Sequence, residues 1–112
     1  MEDASGPLGA PEPRIVPHVG EVLEGVFAVL EQRREDAPEG SYTAKLLLGP
    51  QDKLLKKIGE EASEVIIAAR DRDPVQLRYE IGDLVYHLMV VMVREGLTLD
   101  DLAAELDGRR RP

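Results

Sequence analysis

The sequence predicts an all-α protein, a helical bundle of four to five helices, and three observations carry that prediction. From Val19 onward apolar residues recur at spacings of three and four. Ser, Thr and Asp stand where helices start, and Gly and Pro where they stop. Alternating β-branched strands are absent, and the short valine clusters fit helical stripes.

Taken in order, residues 1–17 hold four of the eight prolines together with Ser5, Gly6 and Gly9. Such a composition buries too little apolar surface to offset its ordering entropy, so a flexible N-terminal tail is expected there. Val22, Val26, Val29 and Leu30, flanked by Leu23 and Phe27, form the stripe of a first helix. It runs into the charged segment Glu31 to Asp36 and breaks at Pro38-Glu39-Gly40. Ser41 caps a short second helix stopped at Gly49-Pro50. Asp52 is the expected N-cap of a third helix reaching about Arg70. Asp73-Pro74 opens a fourth, with proline at the first helical position, and Gly96 ends it. Thr98-Leu99-Asp100-Asp101 has the capping-box pattern for a last short helix to about Leu106. The expected all-α domain spans 18–107, and 108–112 form a basic C-terminal tail.

At 112 residues the chain is expected to form one domain with a real core. Fourteen Lys+Arg against 22 Asp+Glu give a formal charge of −8, which disfavours nucleic acid and anionic membrane as partners. No cysteine is present, which excludes disulfides, thiolate metal sites and cysteine nucleophiles. A cytoplasmic setting fits, with neither a signal-peptide pattern nor a membrane-length apolar run. With one Phe, three Tyr and no Trp, stacking platforms for single-stranded nucleic acid are not expected.

The chemistry lies in Glu60-Glu61-Ala62-Ser63-Glu64 on the third helix and Glu80-Ile81-Gly82-Asp83 on the fourth. At about 100° per residue, Leu54, Ile58, Ala62 and Val65 share one stripe of the third helix, with Glu60, Glu61 and Glu64 along one shoulder of it. On the fourth helix Leu77, Ile81, Leu84, Val85, Leu88 and Met92 share a stripe, with Glu80, Asp83 and His87 on its shoulder. Antiparallel packing of the two helices would aim five carboxylates, Glu60, Glu61, Glu64, Glu80 and Asp83, at one small volume. Carboxylates so placed repel unless a hard cation such as Mg²⁺ neutralises them. The alternative is that they are ordinary solvated helix acids. Two clusters on matching shoulders favour the metal site.

The EExxE motif at Glu60, Glu61 and Glu64, followed after 15 residues by ExxD at Glu80 and Asp83, resembles the metal signature of the all-α nucleoside-triphosphate pyrophosphohydrolases (MazG-type). The runs Ser41-Tyr42-Thr43-Ala44-Lys45-Leu46, Lys56 to Val65 and Asp83-Leu84-Val85-Tyr86-His87-Leu88 resemble, within them, the phosphoribosyl-ATP pyrophosphohydrolase family of histidine biosynthesis. The likeness covers roughly residues 20–106. One departure is Leu48-Gly49-Pro50-Gln51, where the family pattern has its glycine one place later and no proline.

The resemblance implies Mg²⁺-dependent hydrolysis of the α–β phosphoanhydride of phosphoribosyl-ATP, giving phosphoribosyl-AMP and pyrophosphate. Glu61 and Glu64 would then be catalytic as well as metal-binding. No Ser-His-Asp arrangement and no GxxxxGK[ST] loop competes with this reading. Two other functions stay open on the residues alone: a house-cleaning (d)NTP pyrophosphohydrolase sharing the metal site, and a non-catalytic helical dimer module.

Lys57 shares the acidic shoulder and is the first candidate for a phosphate contact. Lys45 follows from the SYTAK match. Ser41 and Thr43 are expected as helix caps first and substrate contacts second. His87, beside an apolar stripe, is expected to be a hydrogen-bonded core residue rather than a ligand or base. The all-round apolar stretch Val85 to Val93 exceeds what one monomer can cover, so a homodimer is expected through the third and fourth helices or the first and fourth. The resemblance implies a dimer or a dimer of dimers, with a downstream cyclohydrolase as a further partner.

Overall fold

The computed structural model describes residues 17–110, so all of the expected tail except Pro17 lies outside the described residues. Five helices follow one another: α1 (Val19–Asp36), α2 (Tyr42–Leu48), α3 (Gln51–Arg70), α4 (Pro74–Glu95) and α5 (Leu99–Arg109). Among the described residues there is no strand, which bears out the all-α expectation.

Local chemistry explains each boundary. His18 accepts from Gly20 N–H while Glu21 reaches back to the His18 backbone, closing a capping box at the start of α1. Ser41 Oγ accepts from Ala44 N–H at 3.1 Å and starts α2. Gly49 then turns the chain so tightly that a Cβ there would stand 2.5 Å from the Lys45 carbonyl oxygen, a distance only glycine permits. The helix that follows begins two residues earlier than expected. Pro50 holds its N-cap position without a side-chain bond, and Asp52 lies in its first turn, where its charge meets the helix dipole. Asp73 accepts from Gln76 N–H to open α4, and Gly96 closes it at φ +81°. The capping box of Thr98 and Asp101 starts α5 as expected. That helix runs past Leu106 to Arg109, because Arg109–Glu105 and Arg110–Asp107 pairs support its last turns.

The apolar core sits at one end of the molecule. Phe27 and Leu30 of α1, Leu46 and Leu47 of α2, Leu54 of α3, and Met89, Val90 and Val93 of α4 close it. Two guanidinium groups complete that end by capping carbonyls: Arg94 donates to Leu46 O and Leu47 O, and Arg34 to Val93 O. Beyond this core α3 and α4 continue as an antiparallel hairpin, turning at Arg72 with φ +57°. The radius of gyration of 16.3 Å exceeds the roughly 13 Å of a compact 100-residue domain.

One expectation about the hairpin is corrected. Ile81 and Leu88, placed at the centre of the buried stripe of α4, are 45% and 43% exposed, while Glu80 and His87 are buried. On α3 the inward line is Leu54, Glu61 and Ala68, seven residues apart, and Ile58, Ala62 and Val65 are half-buried. Apolar residues surround most of α4, so periodicity alone could not decide which face meets α3. The acidic face does. No helix among the described residues is long and apolar enough to cross a membrane.

Candidate active site

One antiparallel register brings the two acidic motifs together, because three residues forward on α3 match three back on α4. Glu61 meets Asp83 and Glu64 meets Glu80. Ligand atoms of Glu61, Glu64 and Glu80 lie within 4.8 Å of one another, and so do those of Glu61, Asp83 and His87. Glu61 belongs to both groups. Glu61, Glu80 and His87 are also the buried polar residues among those described, at 3%, 6% and 3% exposure.

Burying carboxylates without compensation is expensive. Oε1 of Glu61 and Oε1 of Glu80 are fully buried and have no hydrogen-bond partner. The other oxygens are held: Glu80 Oε2 accepts from Gln76 Nε2, and Glu61 Oε2 faces Lys57 Nζ at 3.4 Å. Burial first, then hydrogen bonding and repulsion with Asp83, push the Glu61 carboxyl up to about 7, against the pull of Lys57. Glu64, at the solvent edge, is raised by the Glu80 carboxylate beside it. Desolvation works against the Lys57 ammonium, but Tyr42, Glu61 and Glu60 outweigh it and its pKa is raised.

These features fit a hard divalent cation. The donor set is oxygen-rich, two of its oxygens are orphaned, and their mutual repulsion would be relieved by positive charge. A groove of about 260 Å³ leads from Glu64 and Glu80 past Asp71 and Asp73 toward the hairpin turn. Lined with acids, it repels polyphosphate unless cations accompany it.

The other expected residues divide. Glu60 is exposed and enters neither carboxylate group, since one residue along α3 turns its side chain about 100° from Glu61. Lys45 is exposed on α2. Ser41 caps α2, and the Thr43 hydroxyl is bonded to the Tyr86 hydroxyl. His87 is buried and doubly hydrogen-bonded, to the Asp83 carbonyl at 2.8 Å and the Tyr42 hydroxyl at 3.3 Å. Sequence reasoning missed Gln76, whose signal was its spacing of four from Glu80. It also missed Tyr42, which lies inside the motif that singled out its neighbours Ser41 and Thr43.

Fold and cluster together define a class: an all-α bundle whose two longest helices enclose a shared carboxylate centre. The comparisons specify which. A family model described as "Phosphoribosyl-ATP pyrophosphohydrolase" matches residues 23–110, and the chain belongs to this family, whose members are hydrolases. A phosphoribosyl-ATP pyrophosphatase of Clostridium botulinum is 49% identical over 89 residues, 80% of this chain and 81% of that protein. One from Haloquadratum walsbyi is 48% identical over 90 residues, 79% and 90% of the two chains. The histidine biosynthesis bifunctional protein HisIE of Thermus thermophilus is 46% identical over 94 residues, 84% of this chain and 44% of that protein.

Proposed function

We propose that this chain hydrolyses the α–β phosphoanhydride of phosphoribosyl-ATP to phosphoribosyl-AMP and pyrophosphate, with Mg²⁺ held between α3 and α4. Family membership and the names of its relatives support the substrate. The observation that carries the chemistry is the pair of buried glutamates, Glu61 and Glu80, each with an unpartnered oxygen and both in one carboxylate group with Glu64.

Glu61, Glu64, Glu80 and Asp83 are the metal ligands, and Glu60 supports them from the helix surface through its charge. When bound, Mg²⁺ neutralises phosphate oxygens and lowers the pKa of a coordinated water. Glu61, shared by both groups, fixes the geometry of the centre. Glu64 is exposed to solvent at the edge of the cluster, where a carboxylate oxygen not engaged by the metal could accept the proton of the attacking water. Lys57 is the first candidate to contact the phosphates, with Lys45 and Thr43 of α2 and its cap Ser41 as further contacts.

The active form is a homodimer located in the cytoplasm. Exposed Leu55 and Ile66 on α3 and Ile81 and Leu88 on α4 leave the hairpin with apolar surface that a second copy would cover. The match to a segment of a bifunctional histidine biosynthesis protein supports a cyclohydrolase as the partner that takes the product.

The test is turnover of phosphoribosyl-ATP beside a panel of canonical dNTPs, with Mg²⁺ binding followed by calorimetry. Pyrophosphate released from phosphoribosyl-ATP, and lost in Glu61→Gln, Glu64→Gln and Asp83→Asn, is expected. Turnover of dNTPs alone would assign a house-cleaning enzyme. Absence of both turnover and Mg²⁺ binding at millimolar metal would assign a non-catalytic module.

A further inference from the structure

The His87 imidazole is buried against the carboxylate centre, yet both of its nitrogens are already engaged. Nδ1 lies 2.8 Å from the Asp83 carbonyl oxygen and 3.6 Å from Asp83 Oδ1. A carbonyl can only accept, so Nδ1 carries the proton. In the neutral ring Nε2 is then an acceptor, and the Tyr42 hydroxyl, 3.3 Å away, donates to it. The next residue repeats the connection, since Tyr86 and Thr43 share a hydroxyl–hydroxyl bond. Two successive residues of α2 are thus tied to two successive residues of α4. Tyr42 and Tyr86 also meet the imidazole edge-on, at centroid distances of 6.3 and 5.4 Å, which fixes the ring plane.

A histidine that ligates a cation or removes a proton needs a free ring nitrogen facing the reacting groups. Here the nitrogen nearest the carboxylates is protonated and the other is covered by a phenol. What remains is orientation. Nδ1–H holds the turn of α4 that presents Asp83, and Nε2 holds the first turn of α2 over α4.

We propose that His87 is a positioning residue with two working ends, setting Asp83 through Nδ1 and the first turn of α2 through Tyr42 at Nε2. This rests on the hydrolase reading above only for its kinetic readout. Asp83 is prealigned with Glu61, and the first turn of α2 is held against α4 by the Tyr42–His87 hydrogen bond. As with the hydrogen-bonding groups that stand behind metal ligands, the contact acts by restricting a ligand's orientation.

The first test is ¹⁵N NMR of the ring nitrogens in the metal-free protein at neutral pH. The chain has two histidines. His18 Nδ1 accepts from Gly20 N–H at 3.1 Å, so it is expected as the Nε2–H form and supplies an internal contrast. His87 is expected as the Nδ1–H form, and an Nε2–H spectrum for it would overturn the proposal.

The second test separates the two ends. Tyr42→Phe removes one oxygen at a half-exposed position. It is expected to raise KM for phosphoribosyl-ATP by about 3–10-fold, the scale of one hydrogen bond, with kcat and Mn²⁺ affinity by calorimetry within about twofold. His87→Gln abandons the Nδ1 contact and is expected to weaken Mn²⁺ binding by about 10–100-fold. His87→Asn places an amide donor near Nδ1 and is expected to recover most of that loss. Mn²⁺ affinity unchanged in His87→Gln, or equally poor in both variants, would overturn the proposal, the latter marking a packing role alone. Thermal melts establish that each variant is folded. Should neither His87 variant fold, the NMR spectrum and Tyr42→Phe still decide. If the parent protein does not turn over phosphoribosyl-ATP, the substrate reading fails, while the tautomer and the Mn²⁺ ratios still test His87.

Discussion

Lys57 Nζ stands 3.4 Å from Oε2 of Glu61, one helical turn away, with the lysine side chain 36% exposed and the glutamate 4%. The pair joins solvent to the buried centre. Its anion is a residue that both carboxylate groups share.

Lys57→Met keeps the aliphatic stem and the helix propensity, so folding should survive. We expect kcat/KM to fall about 10–1,000-fold, the range of one electrostatic contact in a water-poor site. The effect of the substitution on Mg²⁺ affinity should reverse with pH. Above pH 8 the lost repulsion raises it slightly; near pH 6 the Glu61 carboxyl, no longer favoured as an anion, holds its proton against the metal. Calorimetry at both pH values checks this, and a loss of stability with catalysis intact would reduce Lys57 to a helix ion pair.

Glu61 makes the metal-free protein less stable in base. Its pKa rises from an ordinary 4.5 in the unfolded chain to about 7 in the fold. The folded state therefore binds the proton more tightly, a contribution present in full below about pH 4.5 and lost as pH rises through 7. Glu64, raised by Glu80, has the same sign. Melting temperature without metal should fall between pH 5 and 8. Glu61→Gln should flatten much of that slope and melt higher than the parent at pH 8. Mg²⁺ should stabilise the parent more at pH 8 than at pH 6, because no proton must then be displaced. An equal slope in Glu61→Gln would place the titration elsewhere.

Arg94 closes the C-terminal end of α2 with bonds to Leu46 O and Leu47 O at 2.9 and 3.1 Å. Arg94→Met preserves bulk but strands these carbonyls. A loss of about 1–3 kcal/mol in urea unfolding is expected, and Mg²⁺ affinity should not change, since the guanidinium belongs to the core end. An affinity loss matching the stability loss would show the two ends to be coupled.

Leu88→Glu and Ile81→Glu test the second copy. Both positions are nearly half exposed and lie seven residues apart on one face of α4. A charge there should cost an isolated chain little and disrupt a dimer, halving the mass in sedimentation. Unchanged mass would locate the interface elsewhere.

How much of this was legible differs between ends of the same helix. The start of α4 at Asp73-Pro74 and its stop at Gly96 followed from local rules, because caps act within a turn. Ser41 and Thr98 were legible for the same reason. The grouping of Glu61 and Glu64 with Glu80 and Asp83 followed from spacing once antiparallel packing was assumed. Which face turned inward did not, as Ile81 and Leu88 show. An apolar side chain suits its own core and a partner's equally well. Nor did the sequence expose the Tyr42–His87 contact, whose residues are 45 positions apart and meet only after α2 has docked on α4.

The looseness of α5 gives the molecule a graded resistance to opening. None of its side chains is buried, so parting it from the bundle uncovers little apolar surface. Its backbone amides should exchange with deuterium through local fraying, while those around Val90, which is fully buried, wait for the whole fold to come apart. A protease meeting the link at Leu97 and Thr98 would therefore find it cleavable in the native state, and the hairpin that carries the carboxylates would outlast the cut.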